Sequence, residues 1–172
     1  MKKGYVQVYT GNGKGKTTAA IGLAIRAAGA GLRVWIGQFV KGCEYSEHAA
    51  LKRFRGCITI RQFGRRCFIK AAPHEKDIQA ALAGLKEAER VLTAGKHQLV
   101  ILDEACIALH FRLFSIDELL RVVRNKPRQV ELVITGRNAP RQLIEAADLV
   151  TEMNEVRHYY QKGVKARKGI EN

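Results

Sequence analysis

No apolar run in this chain approaches the roughly 20 residues that a bilayer-spanning helix needs. The first residues, Met1-Lys2-Lys3-Gly4-Tyr5, run directly into a strand-like segment and leave no room for a signal peptide. These two absences predict a cytoplasmic protein with no membrane association. Cys43, Cys57, Cys67 and Cys106 show no C-x-x-C spacing, which argues against a zinc site or a redox pair and for small reduced residues in core or loops. Zinc-finger spacing, a helix-turn-helix pattern and an RNA-binding sheet signature are all missing. So are internal repeats, linkers and low-complexity stretches.

Acidic residues are also short: 16 Asp and Glu stand against 30 Lys and Arg, a formal net charge of +14. Such a balance suits anionic partners, with nucleotide phosphates and nucleic acid as the two candidates. The basic residues are spread along the chain, with local excess at 61–70 and 162–168. At 172 residues and 47% hydrophobic, the chain is expected to form a single domain, 1–172, with a full core.

What is present starts with Thr10-Gly11-Asn12-Gly13-Lys14-Gly15-Lys16-Thr17-Thr18. It follows the strand-like Tyr5-Val6-Gln7-Val8-Tyr9 and opens the helix-like Ala19-Ala20-Ile21-Gly22-Leu23-Ala24-Ile25. Strand, glycine-rich loop, Lys-Thr and helix is the layout of a phosphate-cradling P-loop. Glycines let the backbone curl its N–H groups toward phosphate oxygens, and the helix N-terminus adds partial positive charge. Lys16 supplies a full charge, and the Thr17 hydroxyl can ligate magnesium. The general pattern asks for glycine where this chain has Thr10; the glycines at 11, 13 and 15 compensate. A glycine-rich hairpin with chance lysines is the bland alternative, and the flanking strand and helix patterns disfavour it.

Further strands are read at 31–40, 58–63, 99–104, 130–135 and 148–153, and helices at 46–54, from Pro73 to near Gly95, from the Ser115 cap with Glu118, and from Pro140. Alternating strands and helices predict an α/β fold with a mostly parallel central sheet covered on both faces. Ligands in such sheets collect at the carboxyl ends of the strands.

Asp103 and Glu104 end an apolar strand, where a nucleotide's magnesium is their natural partner. Glu104 can serve as a base that activates water, or it can hold the metal. Arg137, after the next strand, can reach phosphates or simply face solvent. The run Lys162-Gly163-Val164-Lys165-Ala166-Arg167-Lys168-Gly169-Ile170-Glu171 reads by itself as a solvated tail. Phe68, on an irregular segment, reads by itself as a packing residue.

Taken in order, the loop from Thr10 to Ala20, Gln38-Phe39-Val40-Lys41-Gly42, Leu102-Asp103-Glu104, Ile134-Thr135-Gly136-Arg137, Ala147-Asp148-Leu149-Val150-Thr151-Glu152-Met153 and Gly163 to Glu171 resemble the P-loop ATP:corrinoid adenosyltransferases. The likeness spans nearly the whole chain, and the C-terminal G-V-K-A-x-x-G-I-E is its most specific part. It implies a three-layer RecA-like P-loop fold, a homodimer, and magnesium or manganese. It implies transfer of the 5′-deoxyadenosyl group of ATP to a reduced cobalt(I) corrinoid, with triphosphate as the other product and a reductase or flavin as electron donor. By position, Gly11, Asn12, Gly13, Lys14, Gly15, Lys16, Thr17 and Thr18 would hold the phosphates. Thr17 and Glu104 would ligate the metal with Asp103 in support, and Arg26 and Arg137 would contact the nucleotide. The C-terminal segment, about 157–172, would lie near the active site. Some members carry an N-terminal helix over the corrinoid, whereas this chain begins at the strand. Some also carry an aromatic pair that displaces the lower cobalt ligand; Phe68 matches one member, and Lys70 stands where the other, a tryptophan, is expected. The competing reading is a RecA-like nucleic-acid-dependent ATPase, motivated by the +14 charge and the Asp103-Glu104 pair.

Overall fold

Six short segments rich in Val, Ile and Leu pair side by side, all parallel, in the order β3-β2-β4-β5-β1-β6. They are β1 (Val6–Thr10), β2 (Val34–Phe39), β3 (Ile58–Phe63), β4 (Leu99–Asp103), β5 (Glu131–Thr135) and β6 (Leu149–Glu152). Between them run α1 (Lys16–Gly29), α2 (Ser46–Leu51), α3 (Glu75–Thr93), α4 (Ala105–His110), α5 (Ile116–Arg124) and α6 (Arg141–Glu145). This computed structural model describes residues 2–65 and 72–171. Cys67, Phe68 and Lys70 lie outside the described residues.

Strand alternation splits the core into two layers. On β4, Val100 and Leu102 face the layer built with α3, α4 and α5, where Leu85, Leu92, Leu119 and Val122 are buried. Leu99 and Ile101 face the opposite layer, where α1 lays down Ala20, Ala24 and Ala27. The small alanines recur at helical spacing and present a smooth face to the sheet. Burying chains such as Leu102 or Ile101 contributes about 1.5–3 kcal/mol each. The result is the expected three-layer RecA-like arrangement.

The same alternation aims the polar strand ends. Gln38, Asp103 and Thr135 continue the series that buries Ile36, Ile101 and Val133, so all three turn toward the α1 face. They sit on the adjacent strands β2, β4 and β5, at their carboxyl ends. Meanwhile β1 lies on the far side of β5 from β4, so the chain crosses the sheet to reach β2. That crossover places the N-terminus of α1 above the row of polar ends.

The structure departs from the sequence expectation mainly after β4. Glu104 adopts a left-handed conformation, φ 60°, instead of extending the strand. It caps α4, a helix the periodicity did not announce. Pro73 precedes the His74 cap of α3, and Pro140 caps α6. Ser115 caps α5 with Glu118 returning the bond, as the capping-box pattern predicts.

Candidate functional site

Each glycine of the loop between β1 and α1 has its own reason. Gly11 and Gly15 take φ of 92° and 124°, where L side chains are strained. A Cβ at Gly13 would stand 2.7 Å from the Met153 carbonyl oxygen. The Gly13 N–H donates to that oxygen at 2.7 Å, so the end of β6 braces the loop from outside. Thr10 has a structural use of its own, because its hydroxyl accepts from the Ala139 N–H at 3.2 Å and ties the loop to the start of α6.

Lys16 is 7% exposed and curls over the loop, donating to the carbonyls of Gly11 at 2.6 Å and Gly13 at 2.7 Å. Burial pulls its ammonium below the ordinary lysine value, an effect the charges of Glu104 and Asp103 oppose. Beneath it lies a tight polar cluster centred on Asp103. Oδ1 of Asp103 accepts from the Thr17 hydroxyl at 2.9 Å and the Thr135 hydroxyl at 2.8 Å. Oδ2 accepts from Gln38 at 3.2 Å and pairs with the Lys41 ammonium at 2.8 Å. Glu104 stands beside the cluster, its backbone N–H donating to Thr135 at 3.0 Å. Burial first, and the neighbouring Asp103 charge second, push its carboxyl above the ordinary value. Burial also pushes the Cys106 thiol up to about 12, with Glu104 adding to the shift, so this cysteine stays protonated and inert.

The C-terminal segment touches the loop from the other side. Lys14 Nζ lies 2.9 Å from Glu171 Oε1 and 3.2 Å from the Tyr159 hydroxyl. The Tyr159 hydroxyl also donates to Glu171, and Arg167 reaches the same carboxylate through its backbone N–H at 2.7 Å and its guanidinium at 3.2 Å. The Arg167 guanidinium sits over the Tyr159 ring, 4.9 Å from its centroid.

The family model of the ATP:corrinoid adenosyltransferase BtuR/CobO/CobP matches residues 2–172. The chain belongs to this family. A corrinoid adenosyltransferase from Pseudomonas aeruginosa is 37% identical over 171 residues, covering 99% of this chain and 84% of that one. A corrinoid adenosyltransferase from Escherichia coli K12 is 34% identical over 170 residues, covering 99% and 86%. Among solved structures, a KaiC-like protein from Pyrococcus horikoshii superposes with a TM-score of 0.63 at 20% identity, over 98% of this chain and 76% of that one. That last likeness speaks to the fold alone.

Against this adenosyltransferase background, the residues singled out in the sequence fall into three groups. Gly11 to Thr18, Asp103 and Glu104 converge at the carboxyl ends of β1 and β4. Thr17 bonds Asp103 directly, whereas the Glu104 carboxylate accepts no hydrogen bond from the described residues. Arg137 is exposed on the loop after β5, close enough for its charge to bear on Lys16 and Glu104. Arg26 stands apart in the last turn of α1. It is ten residues from Lys16, or about 15 Å along the helix. Its charge acts on Tyr9 instead.

The oxygen donors gathered here are hard: the Thr17 hydroxyl, the carboxylates of Asp103 and Glu104, and the amide oxygen of Gln38. Such a set fits magnesium or manganese. The fit has a specific mark. Gln38 is fully buried, and its Oε1 has no hydrogen-bond partner among the described residues. Sequence reading assigned no role to Gln38, Lys41 or Thr135. The signal was present in the alternation that runs through Val34, Ile36 and Gln38 on β2 and through Leu99, Ile101 and Asp103 on β4, which puts Gln38 opposite Asp103.

An open cleft of about 620 Å³ lies between α3, α4 and α5, lined by Ile78, Leu82, Leu109, Phe114 and Ile116 and bordered by Pro140. None of its lining residues belongs to the phosphate loop, so its volume alone does not mark the chemistry.

Proposed function

We propose that this protein transfers the 5′-deoxyadenosyl group of ATP to the cobalt(I) of a corrinoid and releases triphosphate. The observation that carries the reading is the glycine-shaped loop with Lys16 and Lys14 on it, in a chain that is an ATP:corrinoid adenosyltransferase by family.

In this reaction the cobalt(I) of the substrate attacks the ribose 5′-carbon. The carbon–oxygen bond to the triphosphate breaks, and its electron pair leaves with that oxygen. Cobalt(I) is a strong nucleophile, so no side chain has to remove a proton. The protein's task is alignment and stabilisation of charge on the leaving group. The N–H groups of the Gly11–Thr18 loop and the N-terminus of α1 hold the triphosphate. Lys16 exchanges its loop carbonyls for phosphate oxygens, and Lys14 meets the chain from the exposed side. Thr17, Asp103 and Glu104 would hold magnesium or manganese, which would add positive charge next to the phosphates. Arg137 supplies a further cation beside the site. Phe68 serves the corrinoid.

The chain acts as one domain, with residues from about 157 onward closing near the site. It works in the cytoplasm as a homodimer, supplied with electrons by a reductase or flavin. The test is direct. The protein is incubated with ATP, magnesium, a reductant and a corrinoid. Inorganic triphosphate together with a light-sensitive cobalt–carbon product is the expected result. ADP and orthophosphate, stimulated by DNA or RNA, would overturn the reading.

A further inference from the structure

Lys41 is a buried cation that the proposed reaction does not use. Its ammonium lies 2.8 Å from Asp103 Oδ2 and 3.4 Å from the Thr17 hydroxyl oxygen. It therefore bridges the two side chains that a nucleotide's divalent cation bridges in the reading above. The side chain is 17% exposed, and the Tyr45 ring covers it with its centroid 5.6 Å away. Two further features single out the position. Val40, the residue before it, takes φ 59°, a left-handed conformation that a β-branched side chain adopts only under constraint. That kink turns the chain at the end of β2 and sends Lys41 back over Asp103. Next to the ion pair, Gln38 donates its Nε2 to the same carboxylate oxygen while its own Oε1, fully buried, accepts nothing from the described residues. A buried amide oxygen left unpaired costs free energy unless a further donor or cation uses it.

We propose that Lys41 is a resident counter-ion that occupies the cation position between Thr17 and Asp103, and that a divalent cation must displace it to bind. The ammonium neutralises Asp103, which is 1% exposed and costly to keep charged alone. A divalent cation placed there gains Asp103 and Thr17, but it first has to break the Lys41–Asp103 pair. The metal alone binds poorly for that reason, and the phosphates of ATP make up the difference, both by ligating the metal and by receiving the freed ammonium. Cation and nucleotide then enter together.

The inference rests on Thr17 and Asp103 as the cation's partners, and the experiment separates the two. Binding of Mn2+ alone, without nucleotide or corrinoid, is measured by electron paramagnetic resonance of the free ion. The wild type is compared with Lys41→Met, Lys41→Gln and Lys41→Arg, with folding of each verified by thermal unfolding. Removing a competing charge at contact distance should tighten Mn2+ binding by about tenfold or more in the Met and Gln variants. The Arg variant keeps the competing charge and should bind as the wild type does. Asp103→Asn should weaken binding in both the wild-type and Lys41→Gln backgrounds. Unchanged or weaker Mn2+ binding in the Met and Gln variants, with Asp103→Asn still weakening it, overturns the role of Lys41 alone. Indifference to Asp103→Asn in both backgrounds overturns the cation position itself, and this inference with it.

Discussion

Lys14 and Glu171 form an ion pair of 2.9 Å between the phosphate loop and the end of the chain, 157 residues apart in sequence. The carboxylate also receives Arg167 and the Tyr159 hydroxyl, so one acid gathers the tail. These hydrogen bonds, Arg167 foremost, then Tyr159 and Lys14, hold the Glu171 carboxyl well below the usual carboxylate range.

Glu171→Gln should release the tail while leaving the core intact. The expected readout is several-fold faster tryptic cleavage after Lys165, Arg167 or Lys168, at an unchanged unfolding temperature, with Glu171→Asp closer to wild type. The sign with pH follows from the depressed value. Docking should persist through the ordinary carboxylate range and fail only as pH falls through the lower, folded-state value. The carbon-13 shift of the Glu171 carboxyl reports this directly, and a midpoint at the ordinary glutamate value would contradict the cluster.

Lys16 should separate stability from function. Burial lowers its folded-state value, so the charged form opposes folding at neutral pH, and stability rises as pH climbs from that lowered value toward the ordinary lysine value. Lys16→Met removes that opposition, and its unfolding temperature should equal or exceed that of the wild type. Adenosyl transfer should fall by about 10²–10³, the usual loss when one preorganised donor to developing charge is removed. A large drop in unfolding temperature would mean that its bonds to Gly11 and Gly13 matter more than its burial.

The phosphate loop and the Asp103-Glu104 pair were legible in the sequence because each is a local pattern whose meaning survives without partners. Lys41 was not. Its role depends on the register that sets Gln38 against Asp103 and on the kink at Val40, and neither is encoded within a few residues. Helix α4 was hidden because Ala105-Cys106-Ile107-Ala108-Leu109 reads as more apolar strand unless Glu104 turns left-handed. The C-terminal run read by itself as a solvated tail, since nothing in its own composition points to Lys14. The family likeness placed it near the active site, but the Lys14–Glu171 bond itself was not read. Arg26 shows the opposite case, a residue carried over from a likeness that the helix rise sets about 15 Å along α1 from Lys16.

Gly13 supports a prediction that sequence motifs alone would misattribute. The loop glycine is commonly read as making room for phosphate, but the close neighbours of a Cβ here are the Met153 oxygen at 2.7 Å and the Asn154 carbonyl carbon at 2.9 Å. Gly13→Ala should therefore push the loop away from the end of β6 and break the Gly13–Met153 hydrogen bond. The expected result is an unfolding free energy lower by about 1–3 kcal/mol together with weaker ATP binding. Amide hydrogen exchange at Gly13 and at Met153, whose N–H donates to Thr10 at 2.9 Å, should accelerate first. Weaker ATP binding with unchanged exchange at both amides would return the glycine to the phosphate role.

Glu104 gives the sharpest discrimination between holding a metal and moving a proton. Burial and the Asp103 charge raise its carboxyl above the ordinary value. The ionised form therefore opposes folding, and stability falls as pH rises from the ordinary glutamate value through the raised one. Glu104→Gln should flatten that slope and raise the unfolding temperature at neutral pH. Because cobalt(I) needs no base, the variant should keep the wild-type pH profile of adenosyl transfer. Its loss should appear instead as a higher magnesium concentration at half-maximal rate, and saturating magnesium should restore part of the activity. Full activity with unchanged magnesium dependence would remove Glu104 from the metal's partners. A collapse that magnesium cannot restore, with the acidic limb of the pH profile lost, would instead make it a base.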